Sequence, residues 1–285
     1  MLRIVTDSAA DMPMEWQKRY DVHFVPVNIH FGTEQYLHGV DMDEATFYQR
    51  VETVTDKTFP KTSQPNPHQF EQMWRKVAQK GDTILSINVT GKLSKTVESA
   101  LAAANNVKDD FKVVVFDSLC GSAGMGYMCR EAREMDRAGK SLAEITQRLE
   151  HTRARSAFTL TLATLKYAQM SGRVGGLRAV LGRMLNMQPI IALTDGVLMP
   201  TEDKVRVRGK ALERISEISR AKVGDGPCYV SVVHAAAPDD AQKLAEVSRK
   251  MFDNMKGDVL IQPLSVAVAI QLGPGTIGCI AYPAA

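Results

Sequence analysis

The sequence predicts an α/β protein of two domains, an N-terminal parallel-sheet α/β/α domain and a C-terminal mixed-sheet α/β domain. Three observations carry this reading. A chain of 285 residues is long for one ordinary domain and suits two. Its first half alternates short apolar runs with helical stretches at the spacing of crossover units, which implies a parallel sheet. Its second half adds a hairpin signal, Asp195-Gly196, to such connections, which implies a mixed sheet. The change of pattern follows a helix ending near His151, so the expected domains are residues 1–153 and 154–285.

Each element has a local cause. Leu2 to Thr6 is an apolar strand, and Asp7 to Asp11 turns it into a helix with Pro13 in its first turn. Val22 to Phe31 is extended and broken at Pro26, and a helix follows from Asp43 to about Val54. Asn66-Pro67 opens a helix to about Lys80, with Gln69 placed to complete a capping box. Thr83 to Val89 is a buried strand, Ser94-Lys95-Thr96 starts an alanine-rich helix, and Lys112 to Phe116 is a further strand. Glycines at 121, 124 and 126 lead a helix to Ala138, and Ser141 with Glu144 caps the next one. Beyond it come a strand at 156–162, a short helix at 164–170, a glycine-rich break at 172–176 and a helix through Leu185. The strand 188–193, the Asp195-Gly196 turn and the strand 197–200 follow, then a helix at 210–222, a strand at 227–234 and a helix at 238–254. The tail holds a strand at 259–262, an apolar segment from Leu264 to Ile270, a Gly273-Pro274-Gly275 turn and a last strand to Tyr282.

Composition narrows the function. The chain has 45% hydrophobic and 24% charged residues and a net charge of +3, which gives no footing to general nucleic-acid binding by charge. Its four cysteines are scattered and form no C-x-x-C pair, so they read as reduced thiols of a cytoplasmic protein and not as a zinc site. No leader pattern and no apolar run near the ~18 residues of a membrane span is present, so a soluble protein is expected.

The stretch Lys61-Thr62-Ser63-Gln64-Pro65-Asn66-Pro67 puts hydroxyls just before a helix start, where an anion is favoured; the plainer alternative is a capped turn. Val5-Thr6-Asp7-Ser8 and Val115-Phe116-Asp117-Ser118 each place Asp-Ser at the carboxyl end of a strand. One reading is a phosphotransferase or hydrolase centred on Asp7 and Asp117; the other gives both pairs turn and cap roles, with Asp11 capping a helix. The nucleotide signature G-x-x-x-x-G-K-[ST] is absent, and Gly273 to Gly278 matches G-x-G-x-x-G only ahead of a strand, so no cofactor is implied. No nucleophile elbow or H-E-x-x-H motif occurs, and the six histidines are scattered: His23, His30, His38 and His68 read as ordinary surface or core residues, and His234, which ends a strand, is the least easily dismissed. Arg173, Arg178 and Arg183 surround the glycine break, and Lys204, Arg206, Arg208 and Lys210 alternate as on one face of a strand. Such a face is either solvated or a docking surface for an acidic or phosphate-bearing partner.

Taken in order, Ile4 to Pro13, Thr62-Ser63-Gln64-Pro65, Ser94-Lys95-Thr96, Asp117-Ser118, Ser171 to Gly175, Lys204-Val205-Arg206 and Gly273-Pro274-Gly275 resemble the motifs of the DegV family. The resemblance spans nearly the whole chain. It implies two α/β domains with a fatty acid between them, the carboxylate held by hydroxyls and the acyl chain in an apolar tunnel. It also implies a non-catalytic subunit that presents the carboxylate to a separate ATP-dependent fatty-acid kinase. On that resemblance Thr62, Ser63, Ser94, Thr96 and Gln271 are the ligand-binding candidates, and Arg173 and Arg206 the partner-binding ones. Leu162, Leu165, Leu181, Leu185, Ile190 and Val266 serve equally as tunnel or core residues. The chain departs from the pattern twice. The family's Ser-Gly-Thr is Ser94-Lys95-Thr96 here, and its His-Thr before Gly-Pro-Gly is Gln271-Leu272, which removes a group able to carry charge and a hydroxyl. A carrier of another amphipathic acid is the alternative that this second departure raises.

Overall fold

The computed structural model describes residues 1–51, 54–55, 58–174 and 187–284. They form two compact units, Met1–Glu150 with Ser265–Ala267, and His151–Leu264 with Val268–Ala285.

The first unit is built on a parallel sheet of order β2-β1-β6-β7, comprising β1 (Leu2–Asp7), β2 (Val22–Val25), β6 (Thr83–Asn88) and β7 (Lys112–Asp117). Ile4 lies opposite both Val22 and Leu85, and Leu85 opposite Val114, so apolar residues run in rows across the sheet. One face packs under α3 (Pro67–Val77) and α4 (Thr96–Asn106), where Val5, Ile84, Phe70, Trp74, Ala100 and Ala103 form a core. On the other side α5 (Ser122–Arg137) buries Met125, Met128, Cys129 and Ala132. The helix α1 (Met14–Arg19) lies between β1 and β2, and α6 (Leu142–Arg155) starts on the expected Ser141 and Glu144 capping box. Capping also fixes α3: Asn66 Oδ1 accepts from Gln69 N at 3.0 Å, and Gln69 Oε1 accepts from Asn66 N at 2.9 Å.

A separate three-stranded antiparallel sheet of order β4-β3-β5 holds β3 (Asn28–Phe31), β4 (Glu34–Leu37) and β5 (Lys61–Ser63). Neither β4 nor β5 stands out in the sequence as a strand; both are short, and β4 is half exposed with no apolar alternation. The helix expected from Asp43 is α2 (Glu44–Val51); residues 52 and 53 lie outside the described set.

The second unit is a mixed six-stranded sheet of order β10-β9-β8-β13-β11-β12. Its strands are β8 (Ala157–Thr161), β9 (Ile190–Thr194), β10 (Val197–Pro200), β11 (Cys228–His234), β12 (Leu260–Pro263) and β13 (Ile277–Pro283). The hairpin between β9 and β10 turns on Asp195 and Gly196, both at positive φ, 48° and 81°. Helices α8 (Arg208–Val223) and α9 (Pro238–Met251) bury Leu212, Ile215, Leu244 and Ala245 against Val230, Val232 and Cys279 of the sheet. Two short helices complete it, α7 (Lys166–Ser171) and α10 (Val266–Leu272), whose first two residues belong to the first unit. The segment left unassigned at 264–270 is therefore largely helical.

The structure overturns one further expectation. Lys204, Arg206, Arg208 and Lys210 do not share a strand face: Val205 makes a single bridge to Gln188, and α8 begins at Arg208. Arg208 is drawn inward, donating from Nε to Asp240 at 2.9 Å and from Nη2 to the Gly275 carbonyl at 2.6 Å. The helix expected through Leu185, with Arg178, Leu181 and Arg183, and the glycines at 175 and 176 lie outside the described residues.

Candidate functional site

Thr62 and Ser63 are consecutive residues of β5 and therefore face opposite ways. Register pairs Ser63 with Asn28 and Lys61 with His30, which puts these four on one face of the small sheet. Thr62 pairs with Ile29 on the other face, where Ile29 and Phe31 are buried. His30 Nε2 lies 2.9 Å from Ser63 Oγ. The Asn28 amide is fully engaged: it donates to the Gln64 carbonyl at 3.1 Å and to Gln69 Oε1 at 3.3 Å, and accepts from Gln35 at 3.3 Å and Gln69 at 3.2 Å. This lattice holds the Thr-Ser-Gln-Pro loop against β3. It also changes the picture of a helix-start cradle. Pro67 has no N–H and the Gln69 amide is taken by its cap, so side chains of the strand dominate what the loop offers an anion. Sequence position alone does not single out His30; its alternation, with Asn28, against buried Ile29 and Phe31 is the signal that puts it on the polar face of the small sheet.

Ser94 and Thr96 are brought together, their hydroxyl oxygens 2.7 Å apart at the start of α4, with Ser94 Oγ also accepting from Thr96 N at 3.3 Å. The loop before them is tied at the carboxyl edge of the parallel sheet: Leu93 N and Ser94 N donate to the Thr90 carbonyl, and Thr90 N to the Cys120 carbonyl at 2.9 Å. Lys95 sits there with φ −82° and ψ 17°, a conformation open to any residue, so the side chain in place of a glycine adds no backbone strain. Its ammonium is exposed and 4.0 Å from the Glu98 carboxylate.

The two Asp-Ser turns close that same edge. Asp7 is buried and accepts from Ala9 N at 3.0 Å and Val89 N at 2.8 Å; burial pushes its pKa up against these bonds. Asp117 accepts from Gly91 N at 3.2 Å and Leu119 N at 3.0 Å. Both carboxylates thus act as backbone ties, and among the described residues no group of three or more His, Cys, Asp or Glu side chains is placed to hold a metal ion. Asp11 does not cap α1, whose N-terminal flank is Pro13 without a side-chain cap. It accepts instead from Ser122 Oγ and from Ser265 N, the latter at 3.0 Å. The hydroxyl and the amide that need an acceptor lie 111 and 254 residues away in sequence, beyond any local reading.

In the second unit, Ser171 connects a partner-binding candidate to a ligand-binding one. Its Oγ donates to the Gln271 carbonyl at 3.1 Å, while Arg173 donates to it from its backbone N–H at 3.4 Å and to its carbonyl from the guanidinium. Gly172, at φ 68°, ends α7 and lets the chain turn there. Gln271 is the last residue but one of α10, and the turn after the helix needs its glycines: Gly273 has φ 87°, and a Cβ there would meet Tyr167 Cδ2 at 2.5 Å. Arg173 and Arg206 are exposed, and Arg206 forms no ion pair among the described residues. Leu162, Ile190 and Val266 are buried, Leu165 is half-buried, and Leu181 and Leu185 lie outside the described residues.

The chain matches the family described as "Uncharacterised protein, DegV family" over residues 1–284. It is 30% identical over 280 residues to a DegV domain-containing protein of Streptomyces coelicolor, covering 97% of this chain and 96% of that one. The structure is similar to that of the fatty-acid-binding DegV family protein of Thermus thermophilus, with a TM-score of 0.91, 30% identity and 99% of each chain covered. It is also similar to DegV, a fatty acid binding protein from Bacillus subtilis, with a TM-score of 0.87, 26% identity and 99% of each chain covered.

Proposed function

The chain belongs to the DegV family, and from that premise we propose that it is a carrier that binds a long-chain fatty acid and presents the carboxylate to a separate ATP-dependent fatty-acid kinase in the cytoplasm. The observation that carries the proposal is the likeness to the fatty-acid-binding protein of Thermus thermophilus at 30% identity over 99% of the chain. The chemistry agrees with it. Each buried CH2 of an acyl chain contributes about 0.8 kcal/mol, so the hydrocarbon drives binding and a few polar groups need only orient the head. Ser63, the Ser94 and Thr96 pair and Gln271 are the proposed head-end donors, all neutral and all able to donate to a carboxylate, whereas Thr62, though expected from the sequence, lies on the opposite face of β5 from Ser63. Arg173 and Arg206 are the proposed contacts with the kinase, and their charge calls for an acidic surface on that partner.

Two substitutions test the two halves of the reading. Ser94→Ala is expected to weaken fatty-acid binding roughly tenfold, the factor that corresponds to about 1.4 kcal/mol, as measured by titration with a fluorescent fatty acid. Unchanged affinity in a folded variant would remove Ser94 from the site. For the kinase half, Arg206→Glu is expected to lower acyl-phosphate formation with ATP and a fatty-acid kinase subunit at least tenfold at constant lipid occupancy. Equal turnover by the variant and the parent protein would remove Arg206 from the docking surface.

A further inference from the structure

We infer that His30 is a positioning residue for the anionic head of the ligand, acting through Ser63: by donating from Nε2–H to Ser63 Oγ, it turns that hydroxyl's own proton toward the carboxylate. The inference rests on the fatty-acid reading and specifies which atoms read the head.

A serine hydroxyl has one proton and two lone pairs. If Nε2 of His30 lacks its proton, Ser63 donates across the 2.9 Å contact and offers only lone pairs to anything else, which repels a carboxylate. If Nε2 carries the proton, the roles reverse, and Ser63 is left with its O–H available. An anionic ligand therefore selects the second arrangement, and the imidazole tautomer is coupled to ligand binding.

The rest of the face fits this assignment. Asn28, the other polar residue of β3 on that side, cannot turn to a ligand because Gln35, Gln64 and Gln69 engage its amide. Lys61, directly opposite His30, is exposed and forms no ion pair among the described residues, so the local potential is positive. The acidic residue of β4, Glu34, pairs in register with Phe31 and so faces the other way, where Arg50 and Tyr36 hold it. The face thus carries an imidazole, a hydroxyl and an ammonium with no carboxylate, a composition suited to an anion and unsuited to a neutral head.

The test compares a long-chain fatty acid with the alcohol of the same length as ligands for the parent protein, His30→Ala, His30→Gln, Ser63→Ala and the Ala double variant. Binding is read as the ratio of the two dissociation constants, with melting temperature as the check on folding. The expected result is a preference for the acid in the parent protein that falls about tenfold in His30→Ala. It should be largely restored in His30→Gln, which places an N–H donor at similar reach, and fall no further when His30→Ala is added to Ser63→Ala. An unchanged ratio in His30→Ala, or equal losses for acid and alcohol, would overturn the assignment. A parent protein that takes up neither lipid would instead overturn the fatty-acid reading on which it rests.

Discussion

Asp11 shows how a single buried residue couples distant parts of the first unit. Its carboxylate accepts from Ser122 and Ser265, its backbone carbonyl lies so close to α5 that a Cβ on Gly126 would come within 2.6 Å of it, and burial raises its pKa to about 6. Because this lies above the ordinary value of 3.8, the folded chain holds a proton between about pH 4 and pH 6 that the unfolded chain releases. Stability from this group is therefore greatest in acid, falls as pH rises through that window and is constant above it, a change of about 3 kcal/mol. His38, which faces Asp11, opposes the shift, and Glu44 stands 3.8 Å from His38. Half-buried Asp82, held by the N-terminal ammonium and Arg3, and exposed Glu144 shift downward and give the opposite slope, so the contribution of Asp11 is read as a difference. Urea unfolding of the parent protein and Asp11→Asn at pH 4.5 and pH 7 should show the parent losing about 2 kcal/mol more than the variant between the two. Parallel profiles would contradict the assignment. The sequence marks Asp11 as a residue of interest but not its partners, because hydrogen bonds across 254 positions leave no local pattern.

Elements were legible in proportion to how local their causes are. The capping box of α3 and the hairpin at Asp195 lie within four residues of the groups they satisfy, and both stand where the sequence puts them. The helix α10 was not legible. Val266 to Leu272 is apolar on nearly every side and buried nearly all round, so no helical period emerges. The positive patch at 204–210 failed for a related reason: alternation implied a strand, whereas the tertiary contacts of Arg208 with Asp240 and Gly275 go with a helix start. The turn after α10 offers a quantitative check. Gly257 and Gly273 both have positive φ, 76° and 87°, but only a Cβ on Gly273 collides with a neighbour, Tyr167. Gly257→Ala is expected to cost about 1 kcal/mol from backbone strain, and Gly273→Ala at least ~1 kcal/mol more from overpacking. Equal costs in urea unfolding would show that Tyr167 moves aside freely.

For the whole molecule, the sequence conveyed the two α/β architectures and the family, because the motifs span the chain and the sheets have distinct periodic signals. It conveyed less about the head-end chemistry. The strand that carries Thr62 and Ser63, the partition of their side chains to opposite faces and the His30 contact all depend on the pairing of β3 with β5, which brings together residues more than thirty positions apart. No helix among the described residues is long and apolar enough to cross a membrane. The central claim, that the chain carries a fatty acid, is tested most directly by native mass spectrometry of the purified protein followed by solvent extraction of whatever is bound. A stoichiometric adduct that dissociates as a long-chain fatty acid is expected. A protein that is empty, and that stays empty after incubation with fatty acids across a range of chain lengths, would contradict it.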